Sequence, residues 1–379
     1  MTTDSNPTRF GSGHAVRRLE DESLLAGAGR YTDDVTLPGQ AHLVFLRSPY
    51  PHARIVSIDT AAAAAMPGVL RVITGAEMAE AGVQPMPGAA GFKRADGGDC
   101  ASPPRLAMAH ERVRFVGEAV AAVVAETVQQ ARDAAEALMV DYDELPMVVD
   151  LASATADGAP QLCAEATGNI AAEMKHGSSE AATAAFAKAS HVVALDVVNQ
   201  RVVALTIEPR SVLAAYDGEA DRLTIRMSTQ MPSGVRDSVC AAIGLAKEKV
   251  RVVVGDVGGG FGMKTGAYPE DIAVAFAALQ VKRPLKWVAE RSEEFLSSAH
   301  GRDIEARAEL ALDADGKILA LRIKTLANVG AYATGTGVAI QLLIGPWVQT
   351  SVYDIQTIDF HFKAVLTNTA PTGAYRGAG

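Results

Sequence analysis

Cysteine is scarce. The chain carries three, Cys100, Cys163 and Cys240, far apart in sequence. Three scattered thiols cannot supply a four-cysteine iron–sulfur cluster, and their spacing fits no zinc-ligand pattern. Each reads as a buried thiol in a reducing compartment. The eight histidines are equally dispersed, with no HExxH or other paired-ligand spacing, so no metal is expected on protein ligands. Gathered lysine and arginine are also missing. The net charge is -9 and no basic cluster interrupts it, which argues against nucleic acid, because phosphate binding needs concentrated cations. No apolar run reaches the length of a membrane span; AAAAAM at 61–66 reads as a short alanine-rich helical piece. MTTDSNPTRFGSGHAVRR at the start is polar and lacks the apolar stretch of a secretory signal. Together these absences point to a cytoplasmic protein.

What is present describes a globular chain. Apolar residues make up 49% and charged residues 21% of 379 positions, enough for two or three domains with cores of their own. After an N-terminal arm (1–20), alternation in AHLVFLRSPYPHARIVSIDT predicts two strands around a proline turn, and MPGVLRVITG predicts a third. QPMPGAAGFKRADGGDCASPP (84–104) is a Gly/Pro loop too long for a simple connector, the kind that serves a function or meets a partner. VRFVGEAVAAVVAET gives two strands about Gly117, and TVQQARDAAEALMVDYDELP a helix to about Met139 followed by a strand. The first domain therefore runs over 21–150, and small polar residues at 151–165 read as a linker. In 166–379, HVVALDVVNQRVVALTIEPRSVLAAYD and RLTIRMST read as strands. SGVRDSVCAAIGL and PEDIAVAFAALQ read as helices, the second opening on proline. KVRVVVGDV and PLKWVAE read as strands, and two long strands flank the DADGK turn. The fold class is α+β with mixed sheets.

One stretch calls for a specific account: VGDVGGGFGMKTG at 254–266, nearly bare backbone after an apolar strand. A Walker A loop needs Gly before its lysine, and here Met263 precedes Lys264. A dinucleotide fingerprint needs G-x-G-x-x-G, and Met263 occupies the third glycine position. Spacing leaves two readings open: a nest of backbone N–H groups for an anion or heteroaromatic ligand, or a tight structural turn.

An ordered set of motifs resembles the molybdenum-binding large subunit of the xanthine dehydrogenase, aldehyde oxidase and aerobic carbon monoxide dehydrogenase family. It comprises GRYTDDV, HLVFLRSPYPHARI, VRFVGEAVAAVVAET, VDYDELP, IEPRSVLA, STQ (228–230), GGGFGMK and APTGAYRGAG, and spans roughly 15–379. The resemblance implies an α/β hammerhead domain followed by the first, incomplete molybdopterin-binding domain, the N-terminal half of a larger subunit. It implies oxidative hydroxylation with oxygen from water, on an enzyme that is incomplete with this chain alone. Gln230 matches the glutamine beside the metal's oxo group, where an amide donates without adding charge. Gly259, Gly260, Phe261 and Gly262 match the segment lying against the pterin, and Arg376 matches the arginine of the following Tyr/Phe-Arg loop. The glutamate base belongs to the other half; Glu270, Glu290, Glu293 and Glu294 read as helix-cap, turn or surface charges.

Departures bear on substrate. Purine hydroxylases carry glutamate where Thr265 stands, an arginine near Leu342 (Gln341 with a one-residue shift), and a ring where Ala378 stands. Carbon monoxide enzymes carry a copper-holding cysteine where Gly377 stands. An aldehyde or small N-heteroaromatic substrate therefore fits better than a purine or CO. The implied cofactor is molybdenum–molybdopterin cytosine dinucleotide. FAD and [2Fe-2S] clusters are implied on a medium and a small partner subunit, together with the C-terminal half if the subunit is split, in a dimer of heterotrimers. A non-catalytic scaffold or assembly protein of the same fold is the alternative.

Overall fold

The computed structural model describes residues 17–377. Its largest sheet is shared by the two halves of the sequence. Seven strands lie in the order Val250–Val253, Arg222–Met227, Ser211–Asp217, Leu285–Val288, Ala41–Arg47, Ala119–Ala125, Val69–Thr74. The join is a parallel pairing, Ala41 opposite Leu285. In Ala41–Arg47 alternate residues point to opposite faces: Ala41, Leu43 and Phe45 enter the main core. Val44 and Leu46 pack under the helix Val128–Glu136, against Ala131 and Ala134. Its neighbour AVAAVVA (119–125) is buried at every position, as a strand covered on both faces must be. The helix Pro269–Val281 lies against this sheet. It is apolar around its whole circumference, so it is buried through most of its length.

A five-stranded sheet builds the second core, in the order Ile170–Gly177, Ile358–Leu366, Ile318–Gly330, Ile304–Leu312, His191–Asn199. The hairpin around DADGK forms as the sequence predicts, with Asp313 Oδ1 accepting from the Asp315 and Lys317 amides. The segment read as a linker holds a helix, Leu151–Thr155, capped by Asp150. Leu151 and Ala154 enter the second core beside Leu162. The helix predicted to reach Met139 stops at Glu136, and Met139 begins the next strand. The loop 84–104 stitches the cores together through Gln84 N to Ala242 O (2.8 Å), Ala89 N to Ala333 O (3.1 Å) and Ala101 N to Ala171 O (2.9 Å).

No helix among the described residues is long and apolar enough to cross a membrane, and no group of three or more His, Cys, Asp or Glu is arranged to hold a metal. Cys163 and Cys240 are buried thiols; Cys100 is half-buried, and burial pushes its thiol up to about 11.

Candidate cofactor site

The strand Val250–Val253 delivers the chain to the glycine loop, and three other segments close on it. A Cβ on Gly260 would sit 2.6 Å from the Gln230 side-chain amide. At Gly262, with φ of 90°, a Cβ would sit 2.9 Å from the Ala374 carbonyl. Only glycine permits both approaches. The loop is bare because the Gln230 turn and the 371–377 segment press against its backbone.

Gln230 follows the strand Arg222–Met227. Its Oε1 accepts from the Gly262 amide at 2.9 Å, so its amine faces outward; among the described residues that amine has no acceptor, and the side chain is exposed. Arg376 donates its backbone N–H to the Phe261 carbonyl (2.8 Å), and its guanidinium lies 5.8 Å from the centre of the Phe261 ring. Phe261 is 43% exposed, so it does not serve as core. Its φ of 49° is an uncommon conformation for a residue with a side chain. The structure thus brings Gln230, Gly259, Gly260, Phe261, Gly262 and Arg376 onto one surface. There an outward amide donor and an exposed cation flank an open aromatic ring.

Thr265 donates to the Gly262 carbonyl and lines a cavity of about 230 Å³ behind the loop, with Gly262, Tyr268, Met86, Thr334 and Ala374. Leu342 is fully buried in the second core, while Gln341 donates to the Arg302 carbonyl (3.1 Å). Ala378 lies outside the described residues. A cavity of about 620 Å³ is lined by Phe45, Arg47, Trp287 and Glu293 among others and includes no residue of the glycine loop or the 371–377 segment. The candidate site is defined by converging donors rather than by volume.

Sequence reasoning missed the posts under this surface. Glu208 Oε2 accepts from the Gly258 amide (2.8 Å) and the Ser228 hydroxyl (2.6 Å). Lys264, 2% exposed, donates to the Glu208 carbonyl (2.8 Å) and Ser228 Oγ (2.6 Å), with Glu208 Oε2 at 3.4 Å. Burial lowers the Lys264 pKa and Glu208 opposes that. Two residues on, Arg210 points the other way. It is buried and bonds Glu270 (3.0 Å), Ser297 (2.6 Å) and Ser298 (3.1 Å), its guanidinium 4.1 Å from the centre of the Tyr268 ring. Burial alone would raise Glu270; Arg210 and Arg47 instead hold it at about 2. Glu270 and Glu294 are therefore interior groups, which corrects their reading as cap, turn or surface charges. Glu290 and Glu293 do start the helix Arg291–Ser297, at its N-cap and third position.

Asp271 supplies a pH test. Burial raises its carboxyl from 3.8 to about 7, against the pull of its bond from the Tyr268 amide and of Arg210. The unfolded chain releases this proton near pH 4 and the folded chain only near pH 7. The contribution to stability is thus full below about pH 4 and falls as pH rises toward 7. Asp271→Asn, which can still accept from Tyr268, is expected to gain on the parent between pH 5 and pH 8 in thermal melts. A melting-temperature difference independent of pH over that range would overturn the assignment.

A molybdopterin cofactor-binding domain model matches residues 163–379, and the aldehyde oxidase and xanthine dehydrogenase a/b hammerhead domain matches 26–146. The chain is 35% identical to the nicotine 6-hydroxylase large subunit of Paenarthrobacter nicotinovorans, over 98% of this chain and 45% of that protein. It is 36% identical to the carbon monoxide dehydrogenase large chain of Hydrogenophaga pseudoflava, over 94% and 45%. The crystal structure of quinoline 2-oxidoreductase from Pseudomonas putida 86 superposes with a TM-score of 0.88 at 37% identity, covering 97% of this chain and 46% of that one. The chain thus spans about half the length of these relatives. It belongs to the molybdopterin-binding large-subunit family of the xanthine dehydrogenases, aldehyde oxidases and carbon monoxide dehydrogenases, and corresponds to their N-terminal region.

Proposed function

We propose that this chain holds a molybdopterin cofactor in a hydroxylase that oxidises an N-heteroaromatic or aldehyde substrate at an electron-poor carbon. The observation that carries this reading is the donor surface itself: Gln230's outward amine, the amides of Gly259, Gly260 and Phe261, and Arg376, with the Gly262 amide spent on holding Gln230. These residues fit the group. The loop amides that are not already bonded and the exposed Arg376 guanidinium suit pterin and phosphate oxygens, and among the described residues no group of three or more His, Cys, Asp or Glu competes for the metal. When bound, such a cofactor supplies two-electron oxidation with oxygen drawn from water. The chain's own part is to orient: Gln230 directs a neutral donor at an oxygen in the site, Phe261 and Arg376 fence one side, and the Glu208–Lys264 pair holds the loop from beneath.

Nicotine and quinoline enzymes stand among the relatives, which supports a ring substrate. Gly377 in place of a copper-holding cysteine speaks against CO. We further propose the cytosine dinucleotide form of the cofactor, iron–sulfur and FAD partner subunits, and a cytoplasmic setting.

The test is composition first. The assembly purified through a tag on this chain is expected to hold about one molybdenum per chain, release CMP on acid hydrolysis, and contain FAD and iron–sulfur subunits. It should turn over quinoline-type substrates with label from 18O-water and leave CO unoxidised. A metal-free chain without partners would favour the scaffold reading instead.

A further inference from the structure

The long Gly/Pro loop delivers one side chain to the cavity of about 230 Å³ behind the glycine loop. That side chain is Arg105. Its backbone is pinned where the loop closes on itself, the Met86 amide donating to the Arg105 carbonyl at 2.8 Å. The guanidinium lies 6.0 Å from the centre of the Tyr332 ring. Among the described residues it makes no hydrogen bond and no ion pair.

Arg105 is the one charged residue in the cavity wall, and no acid lines it. The two carboxyls whose fields reach Arg105 are committed to other groups. Glu270 is paired with Arg210 and Arg47. Glu118 accepts from the Tyr332 hydroxyl and the Arg114 amide. Burial lowers the Arg105 pKa, as it must for a cation drawn from water without a partner in contact. Ser238 and Thr336 add hydroxyls to the wall, neither with a partner among the described residues. Met263 and Tyr268, both buried, give it an apolar side. Gly262 belongs both to this wall and to the donor surface around Gln230.

We propose that this cavity takes the carboxylate of a small N-heteroaromatic acid, with Arg105 as its anchor, so that the preferred substrate is an anion. That the ligand is a substrate rests on the functional reading above. Three observations select its chemistry. One cation and no acid in the wall are balanced by a single negative charge, whereas a phosphate dianion would leave an excess. A guanidinium fork matches the two oxygens of a carboxylate. The volume is below that of sites for drug-sized molecules, roughly 300–1,000 Å³, and suits one small ring.

The test uses the purified native assembly and the three pyridine monocarboxylates, each against its neutral carboxamide, in equilibrium dialysis and in turnover. The parent is expected to bind one of the acids at least about tenfold more tightly than its amide. Arg105→Met should weaken that acid roughly 10- to 100-fold, the worth of a hydrogen bond to a charged group. The amide should change little, and in turnover the loss should fall on KM rather than kcat. Arg105→Lys keeps the charge without the fork and should lie between the two. It also serves if the Met variant fails to assemble. Equal binding of acid and amide by the parent, or equal losses of both in Arg105→Met, would overturn the assignment. Loss of molybdenum and CMP from Arg105→Met, with acid binding unchanged, would put the cofactor's phosphate at Arg105 and overturn it too. Molybdenum content separates the two readings. A metal-free parent with an Arg105-dependent preference for the acid refutes the functional reading and leaves the carboxylate site standing. A molybdenum-loaded parent that oxidises acid and amide alike does the reverse.

Discussion

Arg210→Met is expected to destabilise the chain by about 3–5 kcal/mol, the range for removing one partner of a buried ion pair. The guanidinium is the shared partner of two carboxyl-bearing helices. It bonds Glu270 at the start of Pro269–Val281, and Ser297 and Ser298 at the end of Arg291–Ser297, while its own amide donates to Glu294 Oε1 at 2.7 Å. Its removal leaves Glu270 with Arg47 alone in a site where burial already penalises the charge. Glu270 then has to move toward its neutral form. A fall in melting temperature of roughly 5–10 °C follows for a chain of this size, along with acid sensitivity that begins at higher pH. The sign follows from Glu270 itself. A carboxyl held at about 2 when folded and 4.5 when unfolded stabilises above pH 4.5 and loses that contribution as pH falls toward 2. With Arg210 gone the loss begins earlier. Arg210→Lys keeps the charge but not the fork and should fall between parent and Met variant. The double variant Arg210→Met, Glu270→Leu should lose less than the sum of its single changes. Additive losses in that cycle, or an unchanged melting temperature for the Met variant, would show that the network carries no such load.

These buried pairs mark where the sequence stopped being readable. Strands and helices with strong periodicity, such as Ala41–Arg47 and Pro269–Val281, could be read because their side-chain pattern is local. The ordered motifs pointed to the family, and Gln230, the glycine loop and Arg376 do converge in space. Glu208 and Arg210 lay inside the quoted IEPR motif, yet nothing local says that one turns to the glycine loop and the other to two helices far along the chain. Glu270 resembled an ordinary acidic first turn. It is interior because the whole helix is apolar and enters the core from its first residues. Lys264 served only to reject a phosphate loop, although a lone lysine among glycines and methionine was itself a sign of a buried partner. The π turn Ile340–Ile344 and the helix Leu151–Thr155 were missed for a related reason: short elements are fixed by the surfaces they join.

At Gln230 a pair of substitutions separates two roles that the geometry combines. The side chain clamps the loop, with Oε1 accepting from the Gly262 amide, and it presents its amine outward as a donor. Gln230→Glu keeps the shape and the acceptor but has no N–H to give, and it sets a negative charge where an oxygen-rich ligand would sit. Gln230→Ala removes both functions. If the donor matters, turnover of the molybdenum-loaded assembly falls by roughly 10²–10³ in both variants, the cost of losing one preorganised donor to a developing charge. Metal content and melting temperature should hold, since an exposed side chain adds little to stability. If only the clamp matters, Glu retains near-parental turnover and Ala alone is impaired. Gly260→Ala is the independent check. Its Cβ would lie 2.6 Å from the Gln230 amide carbon, so the amide must swing away with its chemistry intact, and kcat should fall without a matching rise in KM. Full activity in Gly260→Ala would mean that the position of Gln230 against the loop is not what the site depends on.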